Sequence, residues 1–122
     1  MSKEIGIDIV EFEEIRERLS DRFINRILSD QELEKYKQIK NTDRKMSYLA
    51  GRFAAKEALA KALGVPPGLS WHEVEVLRLE SGRPNFEFSG GVLALVRDKI
   101  VKLSISHDGG FVIAMVIIES IN

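Results

Sequence analysis

Residues 43–63 carry the pattern that most restricts the fold. Met46, Leu49, Ala50, Phe53 and Ala60 recur on one face at helical spacing, and Gly64, Pro66 and Pro67 follow at once. Apolar residues at a period of 3.6 predict an amphipathic helix whose stripe faces the core. The stop is equally plain, because glycine accepts the left-handed C-cap conformation and proline cannot continue the ladder.

One residue breaks that stripe. Glu57 lies four positions after Phe53 and three before Ala60, near the centre of the face expected to be buried, with Lys61 one turn further on. A second acid is placed as awkwardly: residues 4–11 alternate Ile5, Ile7 and Ile9 with Gly6, Asp8 and Val10, a strand with Asp8 on the face opposite the isoleucines. Carboxylates are rarely buried unless paired or metal-bound, and aspartate is depleted in strands. Blander readings exist for each, a solvated Glu57–Lys61 pair and a bulge or arginine partner for Asp8. Together the two acids suit Mg²⁺, which keeps several waters and takes one or two carboxylates plus substrate phosphates.

Composition narrows the classes. With 122 residues, 44% hydrophobic and 30% charged, the chain reads as one globular domain, residues 1–122. A formal charge of −1 argues against a protein devoted to nucleic acid. Cysteine is absent, which excludes disulfides, thiolate zinc sites and cysteine nucleophiles. Residues 1–10 contain Glu4 and Asp8 and no long apolar run, so no signal peptide is expected; residues 111–118 are too short to span a bilayer. The expected setting is the cytoplasm.

The remaining pattern is mixed. Residues 12–28 read as helix interrupted near Ser20 and Asp21, and Ser29 with Glu32 forms a capping box for a further short helix. Val74, Val76 and Leu77, then Phe86 and Phe88, read as strands around a turn at 81–84; residues 92–98 read as a short helix. Residues 101–107 and 111–119 form a hairpin across Asp108, Gly109 and Gly110. Because residues 111–118 are apolar on both parities, that strand is expected at the sheet centre, covered on both faces by helices or another subunit. The class is α+β: an antiparallel sheet against one long helix and several short N-terminal helices.

Basic residues flank the acids: Arg44, Lys45, Arg52, Lys56 and Lys61. Arg52 and Lys56 fall beside the stripe, where they could reach a phosphate, although a solvated flank is the commoner reason for such charges. His107 ends a strand on its apolar parity, and adjacent Ser106 points the other way, which disfavours a serine hydrolase.

Four segments then align with one family: Gly6-Ile7-Asp8-Ile9, Arg52-Phe53-Ala54-Ala55-Lys56-Glu57-Ala58 followed by Lys61, Gly82-Arg83-Pro84, and Ser104-Ile105-Ser106-His107. In order and approximate spacing, over essentially the whole chain, they resemble the holo-acyl-carrier-protein synthases. The resemblance implies the 4'-phosphopantetheinyl transferase fold. It also implies transfer of 4'-phosphopantetheine from coenzyme A to a serine of apo acyl carrier protein, with release of adenosine 3',5'-bisphosphate, in fatty acid biosynthesis.

By position, the resemblance gives Asp8 and Glu57 to Mg²⁺, with Lys61 as their catalytic partner at the coenzyme A phosphates. Arg44, Arg52, Gly64, Pro84 and His107 would line the rest of the coenzyme A site. It further implies a homotrimer with Asp8, Glu57 and Lys61 on one chain and Arg52 and His107 on its neighbour. Carrier contacts would come from Arg16, Arg18, Arg22, Phe23, Arg26 and Ile27. A metal-bound water or Glu57 could take the serine proton, the water being favoured because a ligated carboxylate is a weaker base. The alternative is a Mg²⁺-dependent nucleotide phosphohydrolase; a non-catalytic module with structural ion pairs is a third reading.

Overall fold

In the computed structural model, which describes residues 3–66 and 70–121, the chain opens with strand β1 (Lys3–Glu11). Three short helices follow, α1 (Phe12–Arg18), α2 (Asp21–Ile27) and α3 (Asp30–Gln38), and lead into the 22-residue helix α4 (Thr42–Leu63). After a 3-10 turn (Trp71–Glu73) come the hairpin β2 (Val74–Arg78) and β3 (Pro84–Phe88), helix α5 (Gly90–Val96), and the hairpin β4 (Lys99–Asp108) and β5 (Phe111–Ser120). Pro67, part of the expected helix stop, lies outside the described residues. Among those residues no helix is long and apolar enough to cross a membrane.

Local chemistry sets the boundaries. Ser20 accepts from the Phe23 amide at 3.1 Å and divides α1 from α2; Ser29 and Glu32 close a reciprocal capping box on α3. Asn41 caps α4 through the Arg44 amide at 3.0 Å, and Gly64 ends it at φ 72°. Helix α5 starts two residues before the expected 92, because the Glu73 carboxylate accepts from the Val92 amide (3.2 Å) and so serves a free helix N–H.

Strands β1, β5 and β4 form a sheet in that order, all antiparallel, with β5 central as expected. Helix α4 packs on one face of this sheet through small residues: Ala54, Ala58 and Ala62 meet the strands, and Gly6 of β1 sits directly against the helix backbone. A Cβ at position 6 would collide with the Ala58 carbonyl oxygen and the Ala62 nitrogen, so only glycine permits this approach. The approach carries Asp8, two residues along the same face, to the helix.

Three features of burial are decided by the packing. Asp8, not the isoleucines, shares the helix-facing side of β1 with buried Gly6 and Val10, whereas Ile5, Ile7 and Ile9 are more than half exposed. Of the cover expected on the two faces of β5, from helices or another subunit, the chain itself supplies that of one face, and Phe111 and Ile113 are exposed on the other. Finally, α4 has no single buried stripe: the sheet on one side and α1, α2, α3 and β2 around the rest leave Arg52, Lys56, Ala58 and Leu59 all buried.

Candidate functional site

Lys61, Asp8 and Glu57 form one cluster at the edge of β1. Lys61 Nζ donates to Asp8 Oδ1 at 3.0 Å and to the Ile7 carbonyl at 3.1 Å, pinning the last turn of α4 to the strand. Asp8 is largely shielded while Lys61 is half exposed. Glu57, half-buried rather than central to a stripe, has its carboxyl pushed above the ordinary glutamate range by burial and then by the negative charge of Asp8. Lys61 and Arg18 oppose that shift. Two mutually repelling carboxylates offer hard oxygen donors of the kind a divalent ion takes. Among the described residues no larger group of metal-ligating side chains exists, so water and substrate oxygens must complete such a shell.

The second cluster lies on the other side of α4. Tyr48 and Glu57 are nine residues apart, about 180° around a helix at 100° per residue. A groove of about 910 Å³ runs there, lined by Arg44, Tyr48 and Arg52 of α4, Lys35 of α3, Arg78 of β2 and His107 of β4. The Arg52 guanidinium lies 3.7 Å from the Tyr48 ring centroid, and its NH2 donates to the Val76 carbonyl at 3.2 Å. Its buried Nε has no hydrogen-bond partner among the described residues. His107 and Asp8 both face α4 but from opposite edge strands, since Asp8 opposes Ala114, Ala114 opposes Ile105, and His107 follows two residues on.

The sequence-derived residues thus divide into two groups. Asp8, Glu57 and Lys61 meet at one edge; Arg44, Arg52 and His107 meet in the groove. Gly64 caps α4 just beyond Lys61 and Pro84 pairs with Arg78 across a hairpin, and neither lines the groove. Lys56 is not on a solvated flank. It is buried against Glu32 at 2.6 Å, and removing either partner of such a pair costs about 3–5 kcal/mol.

The expected carrier surface changes as well. Phe23 and Ile27 are buried, Phe23 against Phe53 with ring centroids 5.8 Å apart, because this face of α2 is needed to cover α4. Neither can supply an exposed apolar contact. Arg16 is engaged with Glu13 at 2.8 Å, Arg18 lies over the Phe23 and Phe53 rings at 4.7 and 5.4 Å, and Arg22 and Arg26 are exposed. Sequence reasoning missed Tyr48 and Arg78. Tyr48 was detectable, since 44, 48 and 52 fall one helical turn apart; Arg78 carries no such signal.

A family profile for the 4'-phosphopantetheinyl transferase superfamily matches residues 4–116. The chain is 40% identical over 120 residues to the holo-[acyl-carrier-protein] synthase of Oceanobacillus iheyensis, with 95% of each chain covered. It is similar to the crystal structure of a Bacillus anthracis holo-(acyl-carrier-protein) synthase in complex with CoA (3',5'-ADP), with TM-score 0.81, 39% identity and 96% of each chain covered. It also resembles Helicobacter pylori holo-[acyl-carrier-protein] synthase in complex with coenzyme A, with TM-score 0.79 and 35% identity over 94% of this chain and 99% of that one.

Proposed function

The chain belongs to the 4'-phosphopantetheinyl transferase superfamily, and from that premise we propose that it is a holo-acyl-carrier-protein synthase. It moves the 4'-phosphopantetheine arm of coenzyme A to a serine hydroxyl of an apo acyl carrier protein. The serine oxygen bonds to the phosphorus bearing the pantetheine arm, the diphosphate P–O bond breaks, adenosine 3',5'-bisphosphate leaves, and the hydroxyl proton is released. One observation carries the reading: Asp8 and Glu57, far apart in sequence, converge beside Lys61 in a chain whose relatives of this name match it nearly end to end.

Asp8 and Glu57 are the residues that would hold Mg²⁺, since both offer hard oxygen donors and a cation would relieve their repulsion. Bound there, the ion would supply charge stabilisation for the leaving phosphate. Lys61 contributes a fixed positive charge beside the diphosphate and keeps Asp8 oriented through its 3.0 Å hydrogen bond. Arg44, Arg52 and His107 offer the nucleotide and its phosphates donors along the groove.

The proposed assembly is a homotrimer in which the acid cluster of one protomer faces the groove of the next. Two features support it: the half-sites point away from each other across α4, and the bare face of the sheet offers Ile5, Ile7, Ile9 and Ile113 for burial. Arg22 and Arg26 are the proposed contacts for an acidic carrier. A cytoplasmic setting belongs to the same proposal.

Incubation with apo carrier protein, coenzyme A and Mg²⁺, followed by mass spectrometry, tests the reaction. One phosphopantetheine should be added per carrier. Consumption of coenzyme A with the carrier mass unchanged would mark a nucleotide phosphohydrolase instead.

A further inference from the structure

Glu32 and Lys56 form a buried node that the transfer chemistry does not use. Lys56 Nζ donates to Glu32 Oε1 at 2.6 Å, to the Ile27 carbonyl at 2.7 Å and to the Trp71 carbonyl at 3.1 Å, which exhausts its three protons. Glu32 Oε1 also accepts from the Ser29 amide at 3.0 Å, and Oε2 accepts from the Val76 amide at 2.7 Å. A single ion pair therefore ties together the end of α2, α3, α4, the 3-10 turn and β2.

Two of those elements are the walls of the basic groove. Gln31 and Lys35 of α3 and Leu77 and Arg78 of β2 all line it, and Glu32 joins the two elements through the Val76 amide. Val76 is gripped at both ends of its peptide groups: its N–H by Glu32, its carbonyl by Arg52 NH2 at 3.2 Å. Tyr48, on whose ring Arg52 stacks, donates its hydroxyl to the Glu32 carbonyl at 3.1 Å. Arg52 is thus fixed through Val76, which the Glu32 side chain holds, and rests on Tyr48, which the main chain at residue 32 holds.

We infer that the Glu32–Lys56 pair is a positioning device for nucleotide binding, setting the spacing between the α3 and β2 walls and the orientation of Arg52. The inference rests on the reading that coenzyme A occupies this groove. Burial alone does not require an ion pair here, because apolar residues of similar volume commonly replace one without loss of stability. What an apolar pair cannot do is accept the Val76 and Ser29 N–H groups or donate to the Ile27 and Trp71 carbonyls, and of these only Val76 belongs to the groove wall that carries Arg52 NH2.

The test compares the parent with Glu32→Asp, which keeps the charge but shortens the reach, and with the double variant Glu32→Met/Lys56→Met, which removes both charges together. Both variants are expected to unfold cooperatively. Each should bind coenzyme A roughly tenfold more weakly by calorimetry, the scale of one lost buried hydrogen bond. The KM for coenzyme A should rise in parallel, while kcat at saturation and the Mg²⁺ concentration for half-activity stay within about twofold of the parent. A merely structural pair would lower the unfolding temperature and leave coenzyme A affinity unchanged in the folded protein. Parent-like affinity in either folded variant overturns the inference. Absence of coenzyme A binding by the parent would instead overturn the functional reading, and this inference with it.

Discussion

Lys61 Nζ lies 3.0 Å from Asp8 Oδ1, although 53 residues separate the two in the chain. The same carboxylate is a proposed metal ligand, so the ammonium both orients it and competes for it. Replacing Lys61 by Met should lower kcat about 10²-fold through loss of fixed positive charge at the diphosphate. Yet half-activity should require less Mg²⁺, because Asp8 no longer has an internal partner. A magnesium titration of transfer rate reads both effects, and an increased Mg²⁺ requirement would contradict the competition.

Gly6 governs whether that pair can form. Gly6→Ala drives a methyl into the Ala58 carbonyl oxygen and the Ala62 nitrogen, both backbone atoms that cannot swing aside. Overpacking of this kind costs about 1–3 kcal/mol, and β1 must move away from α4. Denaturant unfolding should show the loss of stability. Transfer by the remaining folded protein should fall as well, since Asp8 travels with the strand.

Glu57 should trade stability for function. Its folded carboxyl sits above the ordinary glutamate range through burial and Asp8, so the unfolded chain releases this proton first as pH rises. The contribution is present below the unfolded value and is lost as pH climbs through the raised folded one. In metal-free protein at neutral pH, Glu57→Gln should therefore unfold at a higher temperature than the parent, and its stability should vary less across that acidic window. Transfer should collapse and cease to respond to Mg²⁺. A lower unfolding temperature for Glu57→Gln in the metal-free state would falsify this account.

Complementation can test the proposed sharing of the site. Asp8→Asn disables the acid cluster, and Arg52→Ala removes the cation stacked on Tyr48 at 3.7 Å. Each variant alone should be inactive in transfer. Refolded together in equal amounts, a randomly mixed trimer with sites between neighbours regains about one intact site in four. If both half-sites served the same reaction from within one chain, the mixture would remain inactive; carrier mass spectrometry distinguishes the outcomes.

The bare sheet face supplies a companion experiment. Ile7 and Ile113 are 56% and 40% exposed in the single chain. Ile7→Asp should shift the protein to monomers in sedimentation and abolish transfer together with assembly, while leaving the α4-facing core intact. A monomeric but fully active Ile7→Asp variant would overturn the trimeric site.

The sequence alone determined the local elements, because their signals are local. Ser20, Ser29 and Gly64 end or begin helices through bonds to residues three or four positions away, and two strand runs at 101–107 and 111–119 across Asp108, Gly109 and Gly110 fix a hairpin. It also singled out Asp8 and Glu57, whose acidity conflicts with their surroundings in the pattern. Periodicity, however, says which residues share a face and not what covers that face. Only tertiary packing decided that the isoleucines of β1 are bare while Asp8 faces α4, and that Phe23 is core. Lys56 and Glu57 make the point most sharply. They are neighbours in sequence, but about 100° apart around the helix. One is sealed against Glu32, and the other opens beside Asp8, because elements distant in the chain pack on one flank of α4 and leave the other free.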